Sequence, residues 1–193
     1  MSTYTEKTHI VFLDIPDRIS RKIDLIRERY SNSKLPYKTH LTLKQDEDFL
    51  IDDKKIVNIV SRTLINQGPI RVKISKVNYK KNKQGWNIFF PAKSKSLVQL
   101  VSDLSKILEP FIDQNSPRAF LSTKWERSDR FYPHISIRGT SDKVKFAELF
   151  QKIQNERFNL ELPLTFLCDH VTVAKWNSDK WKKIKTIKLQ NAK

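Results

Sequence analysis

Two segments of this 193-residue chain carry side chains in nearly the same order. One is Tyr37-Lys38-Thr39-His40-Leu41-Thr42-Leu43-Lys44, the other Phe131-Tyr132-Pro133-His134-Ile135-Ser136-Ile137-Arg138. Each runs histidine, aliphatic, hydroxyl, aliphatic, cation. In a β-strand alternate side chains share a face. His40, Thr42 and Lys44 are therefore expected together, with Leu41 and Leu43 behind them. His134, Ser136 and Arg138 are expected together in front of Ile135 and Ile137. Imidazole is the side chain best suited to moving protons near neutral pH. Two imidazoles can serve one phosphoester from opposite sides. A neutral one takes the proton of the attacking oxygen, and a protonated one gives a proton to the leaving oxygen. Thr42 and Ser136 can hydrogen-bond the non-bridging oxygens, while Lys44 and Arg138 balance the charge that builds up. Such chemistry needs neither metal nor cofactor.

The elements around these segments are legible from periodicity. His9 to Ile15 is apolar and β-branched and stops at Pro16, as a strand does. Ile19, Ile23, Ile26 and Tyr30 recur at helical spacing, as do Ile56, Ile59, Val60, Thr63 and Leu64. The second of these helices is stopped by Gly68 and Pro69. Ile70, Val72 and Ile74 alternate, and so do Trp86, Ile88 and Phe90. They predict a hairpin closed by a basic loop around Lys80, Lys81 and Lys83. Leu97, Leu100, Val101, Leu104, Ile107, Leu108 and Phe111 make the clearest amphipathic helix. Residues 113 to 131 break the pattern and read as a loop or lid. A helix with Ser141 as its cap follows the second motif. Leu160 to Phe166, Cys168 to Lys175 and Trp181 to Leu189 read as the last strands. Strand and helix thus alternate and then several strands follow, with one motif in each half. The expectation is an α+β fold, bilobal and duplicated, with two small antiparallel sheets facing a central cleft and helices outside. The lobes exchange chain, so residues 1–193 are read as one domain.

Composition bounds the partner. Lys and Arg number 37 against 21 Asp and Glu, a formal charge of +16. That excess favours an anionic partner, nucleic acid or a nucleotide first. Cys168 is the only cysteine, so no intrachain disulfide forms and a reducing compartment is expected. No segment has the pattern of a secretory signal or of a membrane helix, so the expected location is the cytoplasm. The three glycines, Gly68, Gly85 and Gly139, stand too far apart for a Walker loop or a dinucleotide fingerprint. No cluster of His, Cys or acidic residues has metal-ligand spacing.

The pair His40-Leu41-Thr42-Leu43 and His134-Ile135-Ser136-Ile137 resembles the twin signature of the two-histidine phosphoesterase superfamily, the LigT-like group of 2′-5′ RNA ligase-like proteins and cyclic nucleotide phosphodiesterases. The resemblance covers nearly the whole chain. It implies a bilobal fold with a cleft and metal-independent chemistry on 2′-linked or cyclic phosphates. It carries the family's two histidines and two hydroxyls onto His40, Thr42, His134 and Ser136. Lys44 and Arg138 come from alternation rather than from the family. In and after the loop before the second motif, Trp125, Phe131 and Tyr132 either stack on a base or ribose, with Arg127 and Arg130 near the phosphate, or simply pack as loop aromatics. A third look-alike, His170-Val171-Thr172-Val173, ends in Ala174 where the others have a cation, and reads as a strand histidine. The C-terminal lysines 175, 180, 182, 183, 185 and 188 are either an RNA-binding flank or a solvated strand face.

The reading is a monomeric phosphoesterase that opens a 2′,3′-cyclic phosphate or cleaves a 2′-5′ phosphodiester in RNA or a nucleotide. Ligation in the reverse direction uses the same proton transfers. The rival is a basic RNA-binding module without turnover.

Overall fold

The computed structural model describes residues 4–30, 37–82, 85–117, 119, 131–155 and 161–191. The chain runs β1 (Thr8–Asp14), α1 (Asp17–Tyr30), β2 (His40–Asp48), α2 (Asp53–Thr63), β3 (Ile70–Ile74), β4 (Asn78–Asn82), β5 (Gly85–Lys93) and α3 (Lys95–Leu108). A short 3₁₀ turn, β6 (His134–Thr140), α4 (Lys143–Asn155), β7 (Leu164–Cys168), β8 (His170–Asn177) and β9 (Lys180–Lys188) follow. All strand pairs are antiparallel.

The first sheet has the order β2-β1-β8-β9, so the C-terminal strands complete the N-terminal half. In the second, β6 takes one side of β5, while β4 and then β3 take the other, and β7 pairs with β3. Both motif strands are therefore edges, and β2 lies against β6 where the sheets meet. The α+β architecture with two sheets facing a cleft is the one the motif placement predicts.

Each half repeats one unit. A strand, a helix and a motif strand follow in order, and the motif strand pairs antiparallel with the strand before the helix. In the first half His40 stands opposite Asp14 and Thr42 opposite Phe12. In the second, His134 stands opposite Pro91 and Ser136 opposite Phe89. The helices pack because their apolar residues fall on one stripe. Ile19, Ile23 and Ile26 are buried in α1, and Leu97, Leu100, Val101, Leu104 and Leu108 in α3. Together with Leu41, Leu43, Ile135 and Ile137 they form one continuous core that holds the motif strands from behind. A smaller cluster of Ile10, Phe12 and Ala174 covers the opposite face of the first sheet.

Two elements differ from the sequence expectation. The basic stretch Asn78–Asn82 is a strand rather than a hairpin loop; β4 and β5 make the hairpin, through Asn82 opposite Gly85. Gly85 is needed there, with φ +131° and no room for a Cβ against the Thr140 backbone. The α4 cap is Asp142, not Ser141, since its carboxylate accepts from the backbone N–H of Val144 and Lys145.

Candidate active site

His40 and His134 are held in the same way. The Nδ1 of His40 is 2.8 Å from the Lys38 carbonyl oxygen, and the Nδ1 of His134 is 2.9 Å from that of Tyr132. A carbonyl only accepts, so each Nδ1 carries the proton and donates it two residues back. That fixes the tautomer and leaves Nε2 without a proton in each neutral ring. Each ring also rests on an aromatic of the neighbouring strand: His40 on Phe12 at 4.8 Å, His134 on Phe89 at 4.9 Å between centroids. The two half-sites match in register, in hydrogen bond and in packing.

The remaining histidines differ. His9 also donates Nδ1–H to the carbonyl two residues back, at 2.7 Å, but its Nε2 meets Asp53 at 3.0 Å and its side chain is only 2% exposed. Both nitrogens are committed and the ring is structural. His170 Nδ1 donates to Asp169 at 2.7 Å, two strands away from His40.

Burial lowers the pKa of both motif histidines by penalising the charged ring, while the Lys38 and Tyr132 carbonyls favour it. Their charged neighbours differ. Asp14 and Asp24 favour the imidazolium at His40, against Arg27, whereas Lys80 disfavours it at His134. Asp24 also builds the approach to β2. Its Oδ1 accepts from Thr39 N at 3.0 Å, Thr39 Oγ1 at 2.6 Å and Arg27 Nη1 at 2.8 Å. Tyr37, packed against Phe12, has its phenol pushed up to about 12 by burial and by Asp14.

Thr42 is half-buried, its hydroxyl without a hydrogen-bond partner among the described residues, and Ser136 is exposed. Asn87 adds a side chain that the sequence does not reveal. Its Nδ2 is 3.4 Å from Ser136 Oγ and 3.5 Å from His134 Nε2, an amide donor beside that ring nitrogen. Lys80 is the strand partner of Asn87 across β4–β5, which brings a cation to the same half-site.

Lys44 does not join the His40 face. It is fully buried and ion-paired with Glu47, also fully buried. The reason is a β-bulge. Phe12 pairs with Thr42 and Val11 with Lys44, so Leu43 is an extra residue and the two-residue alternation resets. The same bulge recurs in the second half, where Phe89 pairs with Ser136, Ile88 with Arg138, and Ile137 is extra. Arg138 follows it half-buried, with its Nε enclosed. Tyr132 is 39% exposed and its ring meets Phe89 edge-on at 5.8 Å. Trp125, Arg127 and Arg130 lie outside the described residues. The C-terminal lysines divide: Lys175 pairs with Asp53 at 2.9 Å, while Lys183 lines a hollow on the first sheet.

Two antiparallel sheets with a matched histidine–hydroxyl pair at each facing edge define a two-histidine phosphoesterase architecture. Residues 15–180 match the family model of the 2′-5′ RNA ligase superfamily, and the chain belongs to that superfamily. Among solved structures, TT0787 of Thermus thermophilus is similar at 11% identity and TM-score 0.62, over 95% of this chain and 98% of that one. E. coli LigT complexed with 3′-AMP is similar at 14% identity and TM-score 0.61, over 96% and 99%. A protein described as a phosphoesterase aligns at 13% identity and TM-score 0.58, over 96% and 99%. At these identities the structures speak for the fold. No curated protein sequence matches the chain significantly. No helix among the described residues is long and apolar enough to cross a membrane.

Proposed function

We propose that this protein is a metal-independent phosphoesterase that acts on 2′,3′-cyclic phosphates or 2′-5′ phosphodiesters of RNA or nucleotides. The observation that carries the reading is the duplicated half-site. Two imidazoles, each with Nδ1–H tied to the carbonyl two residues back, keep Nε2 for a shared substrate. His9 instead spends its Nε2 on an ion pair with Asp53 at 3.0 Å, whereas among the described residues the Nε2 of His134 meets only the Asn87 amide at 3.5 Å.

The charges divide the roles. Lys80 and the Asn87 amide favour the neutral ring at His134, which suits a general base. At His40, Asp14 and Asp24 favour the imidazolium against Arg27, and we assign this ring the general-acid role. With a cyclic phosphate, His134 Nε2 takes a proton from water as its oxygen bonds to phosphorus. The bond from phosphorus to one ribose oxygen breaks, and His40 Nε2–H protonates that oxygen. Thr42, Ser136 and Asn87 supply hydrogen bonds to the non-bridging oxygens, whose charge grows in the transition state. With an RNA 5′-hydroxyl in place of water, the same transfers bond that oxygen to phosphorus and open the cyclic phosphate, which ligates two strands; the reverse cleaves a 2′-5′ diester.

A panel of 2′,3′-cyclic nucleotides, 2′-5′ oligoadenylate and cyclic-phosphate-ended RNA, assayed with chelator, tests this. Turnover of at least one is expected. Binding without turnover across the panel would replace the enzyme by a binding module.

A further inference from the structure

Beside the His40 half-site a hollow of about 370 Å³ opens on the first sheet, within the range of small-molecule sites. Tyr37 and Lys38, the residues that lead into His40, line it together with Asp14, Asp169, His170 and Thr172. Register explains the arrangement. Thr42, Phe12, Thr172 and Thr186 are successive partners across four strands and so share a face. The third histidine–hydroxyl repeat, His170 and Thr172, therefore faces the same way as His40 and Thr42, two strands or about 10 Å away.

The chemistry of the hollow differs from that of the histidine pair. In a chain of net charge +16, three carboxylates line it against two lysines. Lys38 Nζ is 3.7 Å from Asp14 and 3.8 Å from Asp17, so its charge is offset within the wall. Asp14 accepts the Thr172 hydroxyl at 2.6 Å, and Thr172 contacts Thr186 at 3.0 Å. Asp169 takes the Nδ1–H of His170, and both side chains remain about half exposed, at 50% and 40%. His170 Nε2 has no partner among the described residues. With one carboxylate more than its lysines, the lining favours a neutral group over a phosphate. A neutral ring bearing N–H groups finds acceptor-only carboxylates.

Resting on the reading that a phosphate lies between His40 and His134, we infer that this hollow receives the nucleobase joined to it. It selects bases with an exocyclic amino group (adenine, guanine, cytosine) over uracil. Uracil offers a single ring N–H and two carbonyls, and those carbonyls would face carboxylates.

The test is calorimetric titration with 3′-AMP, 3′-GMP, 3′-CMP and 3′-UMP. The amino-bearing nucleotides should bind about tenfold more tightly than 3′-UMP, the scale of one hydrogen bond to a charged group. In Asp169→Ala and in His170→Ala the gap should shrink to about twofold, with thermal melting confirming that each variant folds. The His170 imidazole resonance should shift with 3′-AMP in the wild-type protein. Equal affinity for all four nucleotides, a gap that survives in both folded variants, or an unmoved resonance would overturn the inference. Selective binding without turnover of cyclic nucleotides would count against the catalytic reading and leave the hollow standing. Turnover without base preference would do the reverse.

Discussion

At the scale of single residues, the two imidazoles are alike in anchoring and unlike in surroundings. Burial lowers both pKa values from the ordinary 6.5. The proposed reaction needs one ring neutral and one charged, so its pH profile is a bell bounded by the two values. The kcat/KM optimum, which reports the free enzyme, is expected on the acid side of 6.5. Lys80→Met provides the sign test. Removing that cation favours the imidazolium and raises the His134 pKa. If His134 is the base, the acidic limb moves to higher pH and the bell narrows. If it is the acid, the alkaline limb moves instead and the assigned roles are reversed. Asn87→Ala should lower kcat more than it raises KM, by about tenfold to a hundredfold, because its amide faces charge that grows only in the transition state. Equal kcat in the variant and the wild type would leave Asn87 a packing residue.

At the scale of elements, the bulges in β2 and β6 decide which side chains reach the cleft. The Lys44–Glu47 pair behind the first bulge is fully buried. Lys44→Ala strands a buried carboxylate and should cost about 3–5 kcal/mol in urea unfolding. Lys44→Met combined with Glu47→Leu should recover most of that, with kcat close to wild type in the double variant. A double variant that folds normally but loses turnover would return Lys44 to the site. The histidine–hydroxyl alternation was readable because it depends on one strand alone. The bulge was not, since it is a mismatch between β1 and β2 that neither segment reveals. Asn87, and the place of Lys80 beside His134, are illegible for the same reason: they reach His134 only through the β4–β5 and β5–β6 pairings. β4 itself has no apolar alternation, Tyr79 being its single apolar side chain and 46% exposed, so it reads as a loop. The amphipathic faces of α1 and α3 were plain because burial there follows a local period.

At the scale of the whole molecule, the fold is a duplication closed by strand exchange, which sets two equivalent edges face to face. The +16 charge lies over a fold whose first sheet carries a hollow with more carboxylates than lysines, so long-range attraction and local recognition are separate properties. If the basic surface tracks a strand, log affinity for a longer RNA should fall with log salt several times more steeply than for a cyclic mononucleotide. Each phosphate contact adds about 0.7 to that slope. Equal, shallow slopes would mean that only the substrate's end is read. The central claim, that His40 and His134 act on one phosphate, is tested most directly by kcat/KM on a 2′,3′-cyclic nucleotide, in chelator, for His40→Ala, His134→Ala and the double variant. Each single change is expected to cost about two to four orders of magnitude, and the double about as much as either one, because the two rings work as a unit. Single variants that keep wild-type activity, or effects that simply multiply in the double, would contradict it.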